Sequence, residues 1–144
     1  MNIVIHYLTE HYDLMPTDLF SRFGKPDLAE TSSVQNKHTD EQDFVYEYRF
    51  DDVSITIYHA TGINRHFLQE LETDNMAQFS NVGIVPEMPP DSLRSLLGPE
   101  STAFGDEASI RQLHYEVGDE TLHQVSFFFR QNKLVSISYQ PYLD

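Results

Sequence analysis

The chain of 144 residues contains no cysteine. Disulfides, thiolate nucleophiles and cysteine-held metals are therefore excluded. No stretch approaches the roughly 18 consecutive apolar residues of a membrane-spanning helix. Positive charge is scarce: 9 Lys and Arg stand against 23 Asp and Glu, for a net charge of −14. The basic residues are spread singly, from Arg22 to Lys133, and form no stripe that would follow a phosphate backbone. Nucleic acid and anionic membrane surfaces are poor partners for such a chain. A basic protein is a good one, because a field of this sign steers cations and speeds their capture. Glycine is sparse as well, with six isolated residues. There is no glycine-rich phosphate loop and no G-x-S-x-G elbow. Neither a catalytic centre nor a cofactor is expected. The opening MNIVIHYLTEHYD has no basic start and does not read as a secretory signal, so the expected location is the cytoplasm.

Apolar material is not lacking. The chain is 40% hydrophobic and 12% aromatic, enough for one compact domain over 1–144. IVIHYL at 3–8 reads as a strand, with a short helix as its competitor. Thr17 or Asp18 can cap a helix running to Phe23, which Gly24 and Pro26 would stop. Residues 27–43 are polar and read as a loop. FVYEYRF at 44–50 and VSITIYH at 53–59 then alternate about Asp51 and Asp52, predicting a hairpin with one buried face. INRHFLQELET at 63–73 shows helical spacing of Ile63, Phe67, Leu68 and Leu71. Residues 76–88 read as a weak strand or an extended connection ending in prolines.

The second half begins afresh. Asp91 or Ser92 can cap a helix carrying Leu93, Leu96 and Leu97, ended by Gly98 and Pro99. An acidic loop at 100–108 precedes three strands: IRQLHYEV, LHQVSFFF and LVSISY. The turns between them lie at 118–121 and at Gln131 and Asn132. DLFSRFGKPD at 18–27 and SLRSLLGPES at 92–101 match at Leu19, Phe23, Gly24 and Pro26 against Leu93, Leu97, Gly98 and Pro99. The expected fold is therefore α+β, an antiparallel sheet packed against short helices in two tandem units, 1–85 and 86–144. A helix burying one stripe and a sheet burying one face need each other.

This order of short helix, glycine-proline stop, polar stretch and antiparallel meander resembles the beta-lactamase-inhibitor-protein and SmpA/OmlA structural class. In that class helices pack on an antiparallel sheet, and the inhibitor protein carries two tandem units. The resemblance implies binding or inhibition of a partner protein.

Seven histidines offer no metal spacing. His6 and His11 are five apart, and His59 and His66 seven apart. His114 and His123 fall on consecutive strands, where a carboxylate beside them would make a dispersed catalytic site, the enzyme alternative. The main expectation is an immunity or inhibitor protein that neutralises a basic toxin or enzyme. Its partner-binding residues would be Asp40, Glu41, Asp43, Glu47, Asp51 and Asp52 around the first hairpin. Asp106 and Glu107 in the second polar loop and Asp119 and Glu120 at the last meander would complete them. Tyr46 and Tyr58 are candidate anchors. A structural subunit forming a homodimer through strand edges is the other alternative.

Overall fold

A computed structural model describes residues 20, 21, 24–117 and 123–141. Among the described residues, eight strands form one antiparallel sheet. In chain order they are β1 (Leu28–Gln35), β2 (Gln42–Phe50), β3 (Val53–Ala60), β4 (Arg65–Thr73), β5 (Thr102–Asp106), β6 (Ser109–Val117), β7 (His123–Arg130) and β8 (Lys133–Gln140). Their spatial order is β1-β2-β3-β4-β8-β7-β6-β5. Each set of four is thus a simple meander. The two meet where β4 pairs antiparallel with β8 through Leu71↔Tyr139, Glu72↔Ser138 and Thr73↔Ile137. A 3-10 helix (Met76–Val82) and an α-helix, α1 (Pro90–Leu97), lie in the link between them. The architecture is mainly β and α+β only loosely, with one continuous sheet.

Alternation creates the strands and sets their faces. In register, Tyr48 stands by Ile55, and Ile55 by Leu71. Leu71 stands by Tyr139, and Tyr139 by Val125. All of these are buried. Met76 and Phe79 of the 3-10 helix, Ile84, and Pro90 and Leu93 of α1 complete the buried set. Each fully buried Leu, Ile or Phe contributes about 1.5–3 kcal/mol. Proline begins α1, where its missing N–H costs no helical bond, and Gly98 ends it with its N–H on the Arg94 carbonyl (2.8 Å). Tyr115 of β6 donates its hydroxyl to the Gly98 carbonyl (2.9 Å), tying the helix end to the sheet, and burial pushes that phenol up to about 12.

Turn chemistry follows the sequence. Gln131 and Asn132 both adopt positive φ (52° and 60°), as a two-residue hairpin between Arg130 and Lys133 requires. At the β2–β3 turn, the Asp27 carboxylate accepts the Asp51 N–H (3.0 Å).

Four expectations are corrected. Residues 28–35 of the expected loop form β1, and 102–106 of the acidic loop form β5. Residues 65–73 are strand β4, not helix. Residues 76–82 form a 3-10 helix. The readings at 3–8 and 118–121 lie outside the described residues, as does most of the first helix. Phe20, which is described, sets its ring edge-on to Tyr48 at 5.0 Å.

Candidate protein-binding face

One face of the sheet carries the core. The other is free of any covering helix among the described residues. Register places a row of side chains across this open face: Glu30 of β1, Glu47 of β2, Thr56 of β3 and Glu70 of β4. Glu72 follows in the next row, beyond Arg49 and Ser54. Glu30 and Glu47 are exposed and directly opposite each other. Like charges so placed destabilise a sheet. Among the described residues, Glu30, Glu47 and Glu70 form no ion pair.

The predicted acidic residues are not gathered in one place. Antiparallel alternation puts Asp40 and Glu41, in the turn at 36–41, at one end of the sheet. Asp51, Asp52, Asp106 and Glu107 lie at or next to turns of the opposite end. Only Glu47 sits in the middle of the open face. Asp119 and Glu120 lie outside the described residues.

Asp43 is a correction. Its side chain is buried and fully engaged within the chain. One carboxylate oxygen accepts the Tyr58 hydroxyl and the Asn36 side-chain amide (2.9 Å). The other accepts the Thr61 backbone N–H (2.9 Å) and the Thr61 hydroxyl (3.1 Å). The Tyr58 bond above all, then the Thr61 N–H, holds this carboxyl down to about 2. The same bond pushes Tyr58 up to about 12. Asp43 thus braces the ends of two hairpins, and Tyr58 is its partner before it can be anyone else's anchor. Tyr46 faces the other side of the sheet, next to Ile57 and Tyr48.

Glu107 stays exposed, at the rim of an ion-pair cluster. Arg94 of α1 grips Glu100 with two nitrogens (Nε 3.0 Å, Nη2 2.6 Å) and reaches Asp91 (3.3 Å) and Glu107 (3.6 Å). The Glu100 bonds hold its carboxyl below the usual range and the guanidinium above its own. A shallow pocket of about 170 Å³ lies between Arg94, Asp91, Ile110 and Asn132.

The histidines divide between the faces. His114 lies on the open face, with Nδ1 on the Ser126 hydroxyl (2.8 Å) and Nε2 3.5 Å from Glu116. Gln112 donates to the same Ser126 oxygen (3.0 Å). His123 is opposite Val117 on the core face and bonds the Tyr139 hydroxyl through Nδ1 (2.9 Å). His114 and His123 therefore lie on opposite faces and are not brought together in the dispersed site expected of them. His59 and His66 stack at 4.0 Å near Tyr46. Nδ1 of His66 is buried without a partner, and burial, with His59 beside it, holds that imidazole below its usual range. No group of three potential metal-ligating side chains occurs among the described residues. No helix among them is long and apolar enough to cross a membrane.

Glu30, Glu70 and Glu72 were missed as site residues. Their strands were read as loop and helix, and only strand pairing aligns them with Glu47. The visible signal was a glutamate at an alternating position in each segment.

No protein-family model matches the chain, and no curated protein matches it in sequence. Among solved structures it resembles a DUF4309 family protein, YjgB of Bacillus subtilis. The likeness is 13% identical, covers 88% of this chain and 77% of that one, and has a TM-score of 0.43.

Proposed function

We propose that this chain is a small acidic protein-binding module. It presents the open face of its sheet to a basic protein, and it serves as an immunity or inhibitor protein toward a basic toxin or enzyme in the cytoplasm. The observation that carries this reading is the register of Glu30, Glu47 and Glu70. A chain selected for stability alone would put a cation or a neutral residue opposite Glu30. An uncompensated row is a local conflict of the kind proteins keep at working surfaces. Cationic side chains of a partner would relieve it, and the net charge of −14 would draw that partner in.

The framework behind the face is read as two tandem helix-and-meander units, 1–85 and 86–144. Three correspondences support it. Gly24 and Gly98 have φ of 81° and 88° and bond the carbonyls four residues back, of Phe20 and Arg94 (2.9 and 2.8 Å). The Asp27 N–H bonds the Arg49 carbonyl (2.7 Å) as the Ser101 N–H bonds that of His114 (2.9 Å). β3–β4 and β7–β8 each carry a bulge, with Gln69 and Val135 as the extra residues.

The test is capture of binding proteins from the source organism by the wild-type chain and by the Glu30→Lys, Glu47→Lys, Glu70→Lys triple variant. A basic protein retained by the first and lost by the second, with affinity falling as salt rises, supports the reading. Equal retention by both overturns it.

A further inference from the structure

We propose that β1 is a strand-addition edge, on which an extended basic segment of a partner protein pairs and continues the sheet. This rests on the protein-binding reading above and says how the partner would engage. Among the described residues, β1 is the outermost strand of its half, and seven of its eight residues are exposed, with Val34 intermediate. Open edges are normally blunted by lysine, proline, bulges or short length. LAETSSVQ has no Lys, Arg, Pro or Gly, and it pairs with β2 in unbroken register. The opposite edge of the same sheet differs. β5 has five residues, its register shifts between Phe104 and Gly105, and Gly105 takes φ of 103°. A Cβ on Gly105 would stand 2.5 Å from the Ser109 carbonyl oxygen, so the kink requires glycine. Among the described residues, one edge is guarded and the other is open.

The backbone supplies the bonds. The Asn36 N–H bonds the Glu41 carbonyl (2.8 Å). Alternation along an antiparallel pair then turns the backbone groups of Val34, Ser32 and Glu30 toward β2, and those of Gln35, Ser33, Thr31 and Ala29 outward. Outward-facing donors and acceptors of this kind give affinity in strand addition, and alternate side chains give specificity.

Charge identifies the occupant. The acidic row reaches the free edge at Glu30. The docked residue opposite Glu30 becomes the next member of the row, and a Lys or Arg there offsets the Glu30–Glu47 repulsion. Its immediate neighbours fall on the other face, beside the small side chains of Ala29, Thr31 and Ser33. Those lie next to Tyr48, Tyr46 and Phe44 in register, so that side favours apolar residues. The matching segment therefore alternates basic and apolar residues. A second copy of β1 fits worse. Paired antiparallel about Thr31, it sets Ser32 opposite Glu30 and leaves the acid uncompensated between two chains of charge −14.

The probe is a capped octapeptide of alternating Lys and Val, titrated into the full chain by calorimetry. Two companions are the same peptide with alternate backbone nitrogens methylated, and one with Glu for Lys. Thr31→Pro removes an outward N–H while sparing the ladder to β2. Binding of the Lys/Val peptide, weakened about tenfold or more by N-methylation and by Thr31→Pro and absent for the Glu peptide, supports the inference. The methylated peptide tests the backbone bonds even where Thr31→Pro perturbs folding. No binding of the Lys/Val peptide, or equal binding of its methylated form, overturns strand addition. Binding insensitive to methylation but lost in the Glu30/Glu47/Glu70 triple variant overturns the edge and leaves the acidic face standing. Binding unchanged in that triple variant overturns the face itself. A chain that is dimeric alone and becomes monomeric with Thr31→Pro shows a second copy on β1 and overturns the basic occupant.

Discussion

The β3–β4 hairpin of the first meander and the β7–β8 hairpin of the second share a bulge but not a length. β3–β4 continues for four pairs past its bulge, and β7–β8 for two. The overhang contains His59↔His66 and Ala60↔Arg65. The short hairpin closes through positive φ at Gln131 and Asn132, and the Asn132 side-chain amide donates to the Ala108 carbonyl of the neighbouring turn (3.2 Å). The long one is fastened by side chains: the Asp43 brace, and the His59 Nε2–Asn64 Oδ1 contact (3.0 Å). The longer hairpin closes through polar side chains, and buried polar groups stabilise a turn only when fully satisfied.

Core changes should affect both meanders together and produce the largest effect. Leu93→Ala removes a fully buried side chain and should cost about 2–5 kcal/mol in denaturant unfolding. Leu97, expected to be buried but only half so, should cost clearly less. Equal losses would contradict the packing of α1.

Asp43→Asn should instead separate the halves. Protection from hydrogen exchange should fall at the 61–64 turn and hold at residues 131–132. The carboxyl sits at about 2 rather than 3.8, so its stabilisation is full above 3.8 and is lost as pH falls through about 2. The variant should have a flatter acid limb, and an unchanged one would remove Asp43 from the brace.

His66 should produce a smaller effect at milder pH. Its folded value lies below the ordinary 6.5. The neutral form therefore favours folding, and stability should decline as pH drops through 6.5 toward the folded value. His66→Phe should lessen that decline, read as the pH dependence of the melting midpoint. An identical slope would show that the stacked pair does not respond to protonation.

The halves also differed in how far their sequences exposed them. β2, β3 and β6–β8 were legible because their buried residues alternate, as Tyr48 and Phe50 or Val125, Phe127 and Phe129 do. β4 was misread for a physical reason. Its bulge at Gln69 brings Leu68 and Leu71 to the same face three residues apart, which is helical spacing. β1 and β5 hold no fully buried residue and so carry no period at all. The acidic row depended on two of these unread strands, so only Glu47 of its members was visible.

The smallest predicted effect tests the central claim most directly. Glu47→Lys turns the repulsion with Glu30 into attraction. The free chain should become more stable by about 0.2–1 kcal/mol at low salt, and the gain should shrink as salt rises. A loss of stability at low salt would mean the carboxylates are already compensated within the chain, leaving no reason for this face to seek a cationic partner.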